Sequence, residues 1–152
     1  MIKTIKLVFG VAALIFVTTP ATSAAERVLS PDGRINVEFY LDDKGTPIYT
    51  VDFLGEKIIR PSHLGFELID DGMITDGFEV TGVEHDRFDE TWKPVWGENS
   101  EIRNHYNSMI VSMEQGTGRD KVKMDVEFRV FDDGVGFRYI FPEQKKKEFV
   151  IA

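Results

Sequence analysis

Five apolar side chains, Val122, Met124, Val126, Phe128 and Val130, recur at every second position, and Lys121, Lys123, Asp125, Glu127 and Arg129 alternate with them. A period of two places the two sets on opposite sides of an extended chain, so the segment reads as a strand with one face in a core. Asp132-Asp133-Gly134 supplies a turn, and Val135, Phe137, Tyr139 and Phe141 resume the alternation on the way back. A slip of one residue would turn either apolar row toward water, which ties down the register of this hairpin.

The same period runs through most of the chain. Ile35, Val37, Phe39 and Leu41 form one row, and Tyr49, Val51 and Phe53 another. Phe66 and Leu68, the segment Phe78–Glu84, and Met109, Val111 and Met113 continue it. Arg27–Leu29 reads as an opening strand, and Gly82 marks a bulge. Turn chemistry separates the rows at Ser30-Pro31-Asp32-Gly33, Asp42-Asp43-Lys44-Gly45 and Asp70-Asp71-Gly72, and Pro61 is expected to close the first group of strands. No helical stripe of useful length interrupts them. Many short strands at this spacing predict an all-β chain folded as an antiparallel β-sandwich.

The first two dozen residues read differently. Lys3 and Lys6 precede the apolar run Leu7–Val17, and Thr22-Ser23-Ala24 offers the small residues of a cleavage site. That is the layout of a secretory signal peptide over residues 1–24, with a sandwich domain over 25–152 and a periplasmic or secreted location. The apolar run is shorter than the roughly 20 residues a membrane-spanning helix needs, so no membrane span is expected after cleavage. Cleavage after Ala24 would leave 128 of the 152 residues and, with two lysines lost, take the net charge from −8 to −10. An acidic surface does not suit nucleic acid, and Lys145-Lys146-Lys147 is too short a basic run to change that. With no cysteine in the chain, stability has to come from packing, from metal or from more protein.

The candidate site lies in Glu90–Asn107, read as a polar, aromatic connection between regular strands. It holds both tryptophans, Trp92 and Trp96. The aromatic rings of Trp92, Trp96 and Tyr106 suit the apolar faces of sugars. Arg103, Asn104, His105 and Asn107 suit their hydroxyls, and Glu98 stands among them. The competing expectation places Trp92 and Trp96 in a core at a strand end. Serine-based catalysis lacks its Gly-x-Ser-x-Gly elbow. The three histidines, His63, His85 and His105, are too scattered to suggest a transition-metal site, and the Asp pairs at 42–43, 70–71 and 132–133 are where turns want Asp. Glu90, Glu98 and Glu101 define no carboxylate pair of glycosidase geometry.

Four stretches together resemble the N-terminal domain of glycoside hydrolase family 97: Ser30–Arg34, Pro61–Phe66, Glu90–Glu98 with Ile102–Asn107, and Phe128–Tyr139. The specific pieces are Trp92-Lys93-Pro94-Val95-Trp96-Gly97 and Arg103-Asn104-His105-Tyr106-Asn107; Ser108 follows where the family usually has Glu. The resemblance implies an exported α-glucosidase or α-galactosidase. In such enzymes a β-super-sandwich resembling the galactose mutarotase fold precedes a catalytic (β/α)8 barrel and a small β-domain. It implies an α-linked oligosaccharide substrate and a calcium ion at the active site, whose carboxylate ligand is assigned to no residue here. Catalytic residues belong to the barrel, so none is assigned to this chain. The chain ends on the strand-like Phe149-Val150-Ile151-Ala152, short of the family's full domain, and is expected to be a piece of the sandwich. Two other readings stand beside this one: a free-standing carbohydrate-binding module, and a non-catalytic interaction protein with an open strand edge.

Overall fold

The structure, a computed structural model, describes residues 24–69, 72–118, 121–144 and 149–151. Among these residues ten strands follow in order: β1 Glu26–Leu29, β2 Ile35–Leu41, β3 Pro47–Phe53, β4 Glu56–His63, β5 Phe66–Leu68, β6 Gly72–Ile74, β7 Phe78–Trp92, β8 Ile102–Gln115, β9 Val122–Val130 and β10 Val135–Ile140. They form two four-stranded antiparallel sheets, β1-β2-β3-β4 and β10-β9-β8-β7, and a small β5–β6 hairpin. The antiparallel sandwich expected from the alternation is what the chain forms. Residues 1–23 of the expected signal peptide, Asp70-Asp71, Lys145-Lys146-Lys147 and Ala152 lie outside the described residues.

The two apolar rows face each other across the sandwich. Val37 and Phe39 of the first sheet and Met109, Val111, Met124, Val126, Phe128 and Val130 of the second are fully buried. Phe128 sits at the centre, its ring 6.2 Å from Phe39, 5.9 Å from Tyr49 and 5.9 Å from Phe137. Leu64, Leu68, Ile74 and Phe78 close one end of the core. There the β2–β3 turn locks onto the start of β7: Gly77 N–H donates to Lys44 O at 2.8 Å and Phe78 N–H to Gly45 O at 3.0 Å. Gly45 has φ +74°, and a Cβ on it would stand 2.7 Å from the Phe78 backbone, so only glycine allows this approach.

At the opposite end the two sheets meet through turns. Asp32 accepts from the Ser30 hydroxyl at 2.6 Å and from Arg34 N–H at 3.0 Å, and pairs with the Arg34 guanidinium. The Ser30 hydroxyl, then the Arg34 backbone and side chain, hold the Asp32 carboxyl well below the usual carboxylate range. Asp32 N–H in turn donates to Asp132 Oδ1 at 2.9 Å, which joins the β1–β2 turn to the β9–β10 turn. Asp42 likewise serves its own turn, accepting from Lys44 N–H and Thr46 N–H at 2.9 and 2.8 Å.

Two boundaries differ from the sequence expectation. Pro61 does not end the first sheet. β4 runs on to His63, and because Tyr49 faces Ser62 while Val51 faces Ile59, Arg60 and Pro61 share the place opposite Thr50. A bulge on an edge strand is where proline's missing N–H costs no ladder bond. Glu90–Asn107 is not a connection between strands either. Its two ends are strand, paired Glu90 to Asn104 through Trp92 to Ile102, and only 93–101 is loop.

Replacing Phe128 with alanine removes the ring on which both sheets converge. The expected loss is about 3–5 kcal/mol, the range for large-to-small changes in packed cores, read from urea unfolding.

Candidate functional site

β7 and β8 are much longer than the sheet they belong to. β9 pairs with β8 only as far as Val130 opposite Asn107, whereas β7 pairs with β8 on to Trp92 opposite Ile102. The five pairs from Phe88–Tyr106 outward therefore have no third strand. They form a two-stranded arm of about 17 Å at some 3.4 Å per residue. Residues 93–101 make its tip, where Lys93 and Glu101 lie 3.4 Å apart.

Alternation divides the sequence-predicted residues between the two faces of this arm. Arg103, His105 and Asn107 share the face that, further along β8, carries the buried Met109, Val111 and Met113. Trp92, Asn104 and Tyr106 share the other. Trp96 and Glu98 belong to the exposed tip. The eight residues therefore do not converge on one site. The alternative that Trp92 and Trp96 are core residues does not hold, since they are 48% and 88% exposed.

The polar face gains residues that the sequence did not single out. Cross-strand pairing sets Asp89 opposite His105 and Arg87 opposite Asn107, with His85 opposite Met109 just below. Arg103 donates to both carboxylate oxygens of Asp89 at 2.7 Å. Hydrogen bonding from Arg103 holds the Asp89 carboxyl low, and the same bond holds the Arg103 guanidinium up. The pair is half exposed on both sides, so it orients the guanidinium more than it stabilises the fold. Below it, an open cleft of about 760 Å³ is lined by β1 together with Asn36, His85, Arg87 and Asn107. Asn107 Nδ2 donates to Leu29 O at 2.8 Å, and His85 Nε2 lies 3.0 Å from Arg27 O. These two carbonyls point away from β2 along the open edge of β1, so the side chains cover an edge that would otherwise template another strand.

On the other face the Tyr106 ring is already occupied. It stacks on Phe88 at 5.3 Å, meets Phe131 at 5.1 Å and carries the Arg129 guanidinium 5.0 Å above it. At 8% exposure it leaves almost no ring for a sugar, unlike the expectation that it would stack on one. Beside it Glu127, 5% exposed, accepts from Arg129 Nε at 2.7 Å and pairs with Arg138. Burial opposes ionisation of Glu127, and the two guanidinium hydrogen bonds overcome it, holding its carboxyl below the usual range. Ser108 lies across from Arg129 on this same face.

No three His, Asp or Glu side chains converge as a metal site among the described residues. The donor set this chain presents is a row of guanidinium, imidazole, amide and carboxylate groups, suited to hydroxyl-rich ligands and lacking an evident nucleophile–base pair.

The fold and the arm define a class: an antiparallel sandwich that projects an unsupported hairpin with one polar face. The comparisons supply the family. The sequence model described as Glycosyl-hydrolase 97 N-terminal matches residues 28–152, and the chain belongs to that family as its N-terminal domain. A retaining α-galactosidase of Bacteroides thetaiotaomicron is 28% identical over 123 residues, covering 81% of this chain and 17% of the relative. A glycoside hydrolase family 97 enzyme from Pseudoalteromonas sp. strain K8, solved with acarbose and, as a variant, with panose, is 32% identical. It superposes with a TM-score of 0.73 over 79% of this chain and 18% of its own. A β-arabinopyranosidase crystal structure superposes at 0.69 with 27% identity. The chain thus spans less than a fifth of the length of the relatives it matches.

Two predictions follow from these contacts. Asn107→Ala leaves the Leu29 carbonyl without its side-chain donor. It should cost about 1 kcal/mol and speed hydrogen exchange in β1 more than in β9. Glu127 has its folded value below its unfolded one, so its contribution is present above about pH 4.3 and lost as pH falls through the folded value. The stability advantage of the protein over Glu127→Gln should therefore shrink below pH 4.3 in acid unfolding followed by circular dichroism.

Proposed function

We propose that the chain forms one wall of the sugar site of an exported α-glycosidase and packs on a catalytic (β/α)8 barrel supplied by the rest of such an enzyme. The observation that carries the reading is the polar row on the arm. Arg87, Asp89, Arg103, His105 and Asn107 lie on one face, the Arg87–Asn107 pair at the last rung beside β9 and the other three beyond it, in a family whose members extend far beyond this segment. Hydrogen-bonding side chains held in one register along a β-ladder are what a hydroxyl-rich ligand needs for orientation. The relatives support the ligand class: one is a retaining α-galactosidase, and another was solved with acarbose and panose.

The wall role assigns no acid, base or nucleophile to this chain. Calcium, which the family resemblance implies, finds no converging ligand set among the described residues. Export to the periplasm rests on the signal-like residues 1–24.

In a family 97 polypeptide carrying this domain, Arg103→Ala and His105→Ala should each raise KM for an α-linked oligosaccharide several-fold, the cost of losing one or two hydrogen bonds. The 152-residue chain by itself should not hydrolyse p-nitrophenyl α-glucoside or α-galactoside. Turnover by the chain alone, abolished by a single Glu→Gln change, would overturn the reading.

A further inference from the structure

Within the sandwich, β7 and β8 turn a largely apolar side toward the first sheet, with His85, opposite Met109, the polar residue at its margin. Val83, Met109, Val111 and Met113 lie on it, while Glu84, Asp86, Ser108 and Ser112 lie outside with Ile110. From the Arg87–Asn107 pair outward the pattern inverts. The face continuous with the core becomes Arg87, Asp89, Thr91, Arg103, His105 and Asn107. The outer face becomes Phe88 with Tyr106, Glu90 with Asn104, and Trp92 with Ile102. On β8 the change falls between Met109 and Asn107 and on β7 between Val83 and His85, and the pairing passes through it without a shift in register.

Such an inversion would waste apolar surface on a free hairpin. Phe88, Trp92 and Ile102 are 37%, 48% and 37% exposed, and Val95 and Trp96 at the tip are 99% and 88% exposed. Two strands alone are marginal in water, and an apolar stripe on such an arm adds hydration cost rather than stability. A polar face toward the core side and an apolar face away from it fit a surface that meets another body on the outer side of the second sheet.

We infer that this outer face, Phe88, Trp92 and Ile102 with Val95 and Trp96 at the tip, is the docking surface for the remainder of the family 97 polypeptide, while the opposite face stays open to small solutes. The inference rests on the proposed wall function and deepens it by saying which side of the arm is covered. The occupant follows from length. Relatives superpose on this chain over only 18% of their own residues, so most of such a polypeptide is available to cover the arm in cis. A sugar is a poorer occupant of this face, because the Tyr106 ring is stacked shut and the polar pair Glu90–Asn104 is hemmed by apolar pairs on both sides.

The absence of cysteine from the chain permits a direct test. Single substitutions Trp92→Cys and Ile102→Cys sample the apolar face, and Thr91→Cys samples the polar face one residue away. Each is placed in the chain alone and in a chimaera in which this chain replaces the matched segment of the Pseudoalteromonas enzyme. Maleimide labelling is followed peptide by peptide. All three positions should label at similar rates in the chain alone. In the chimaera, positions 92 and 102 should slow by roughly tenfold or more, as expected for a water-excluding interface core, while position 91 slows less than about threefold. Protection of 91 with 92 and 102 open would overturn the inference and leave the wall function standing. No protection at any position, or a chimaera that hydrolyses nothing, would overturn both. Slowing at 92 in the chain alone as its concentration rises would mean a second copy is the occupant. Slowing on addition of panose would mean a sugar is. Either result overturns the assignment.

Discussion

Successive side chains of a paired strand leave on opposite sides, and β8, held between β7 and β9, has no freedom to escape that alternation. Everything else in this domain follows from how the sequence uses it. From Met109 onward the inward positions are apolar and close the core against Val37 and Phe39. From Asn107 backward the same inward positions carry guanidinium, imidazole and amide groups, and the apolar side chains move outward. One strand thus has two bodies to satisfy. The first is the facing sheet. The second, on the function proposed above, is the remainder of a family 97 polypeptide with its sugar.

The junction between the two regimes is where the polar side chains are most committed. Asn107 and His85 reach across to the open carbonyls of β1, and Tyr106 is packed among Phe88, Phe131 and Arg129. Glu127, buried on the outer face of β9, is kept charged by Arg129 and Arg138. Breaking such a pair costs more than forming it gains, which makes the network a fixed platform at the base of the arm. Further out the contacts thin to the exposed Arg103–Asp89 and Lys93–Glu101 pairs. Rigidity therefore declines from the base to the tip, the gradient expected of an element that sets its geometry before meeting a partner.

The sandwich was legible because alternation is a local signal. The rows at 35–41, 122–130 and 135–139 each state their own face without help from the rest of the chain. The family motifs were legible too, but their contacts were not. Nothing in Ser30–Arg34 announces that Asp32 will bind Asp132, a hundred residues away. The arm reads as a connection in sequence because it lacks a continuous apolar row. Its row changes sides at 107–108, and a polar run beside Pro94 and Gly97 resembles a loop. Arg87 and Asp89 carry no signal in sequence, since only register brings them opposite Asn107 and His105. The eight candidate residues were drawn from one stretch of sequence, and a strand by its nature sends neighbours to opposite sides.

The most direct measurement is hydroxyl-radical footprinting of the isolated chain with residue-level mass spectrometry. A single strand pair that changes its apolar side predicts strong oxidation of Trp92 and Trp96 together with protection of Met109, Met113 and Met124. Trp92 as protected as Met109, or Met109 as reactive as Trp92, would mean that the apolar row keeps one side along the whole hairpin, and would contradict the account.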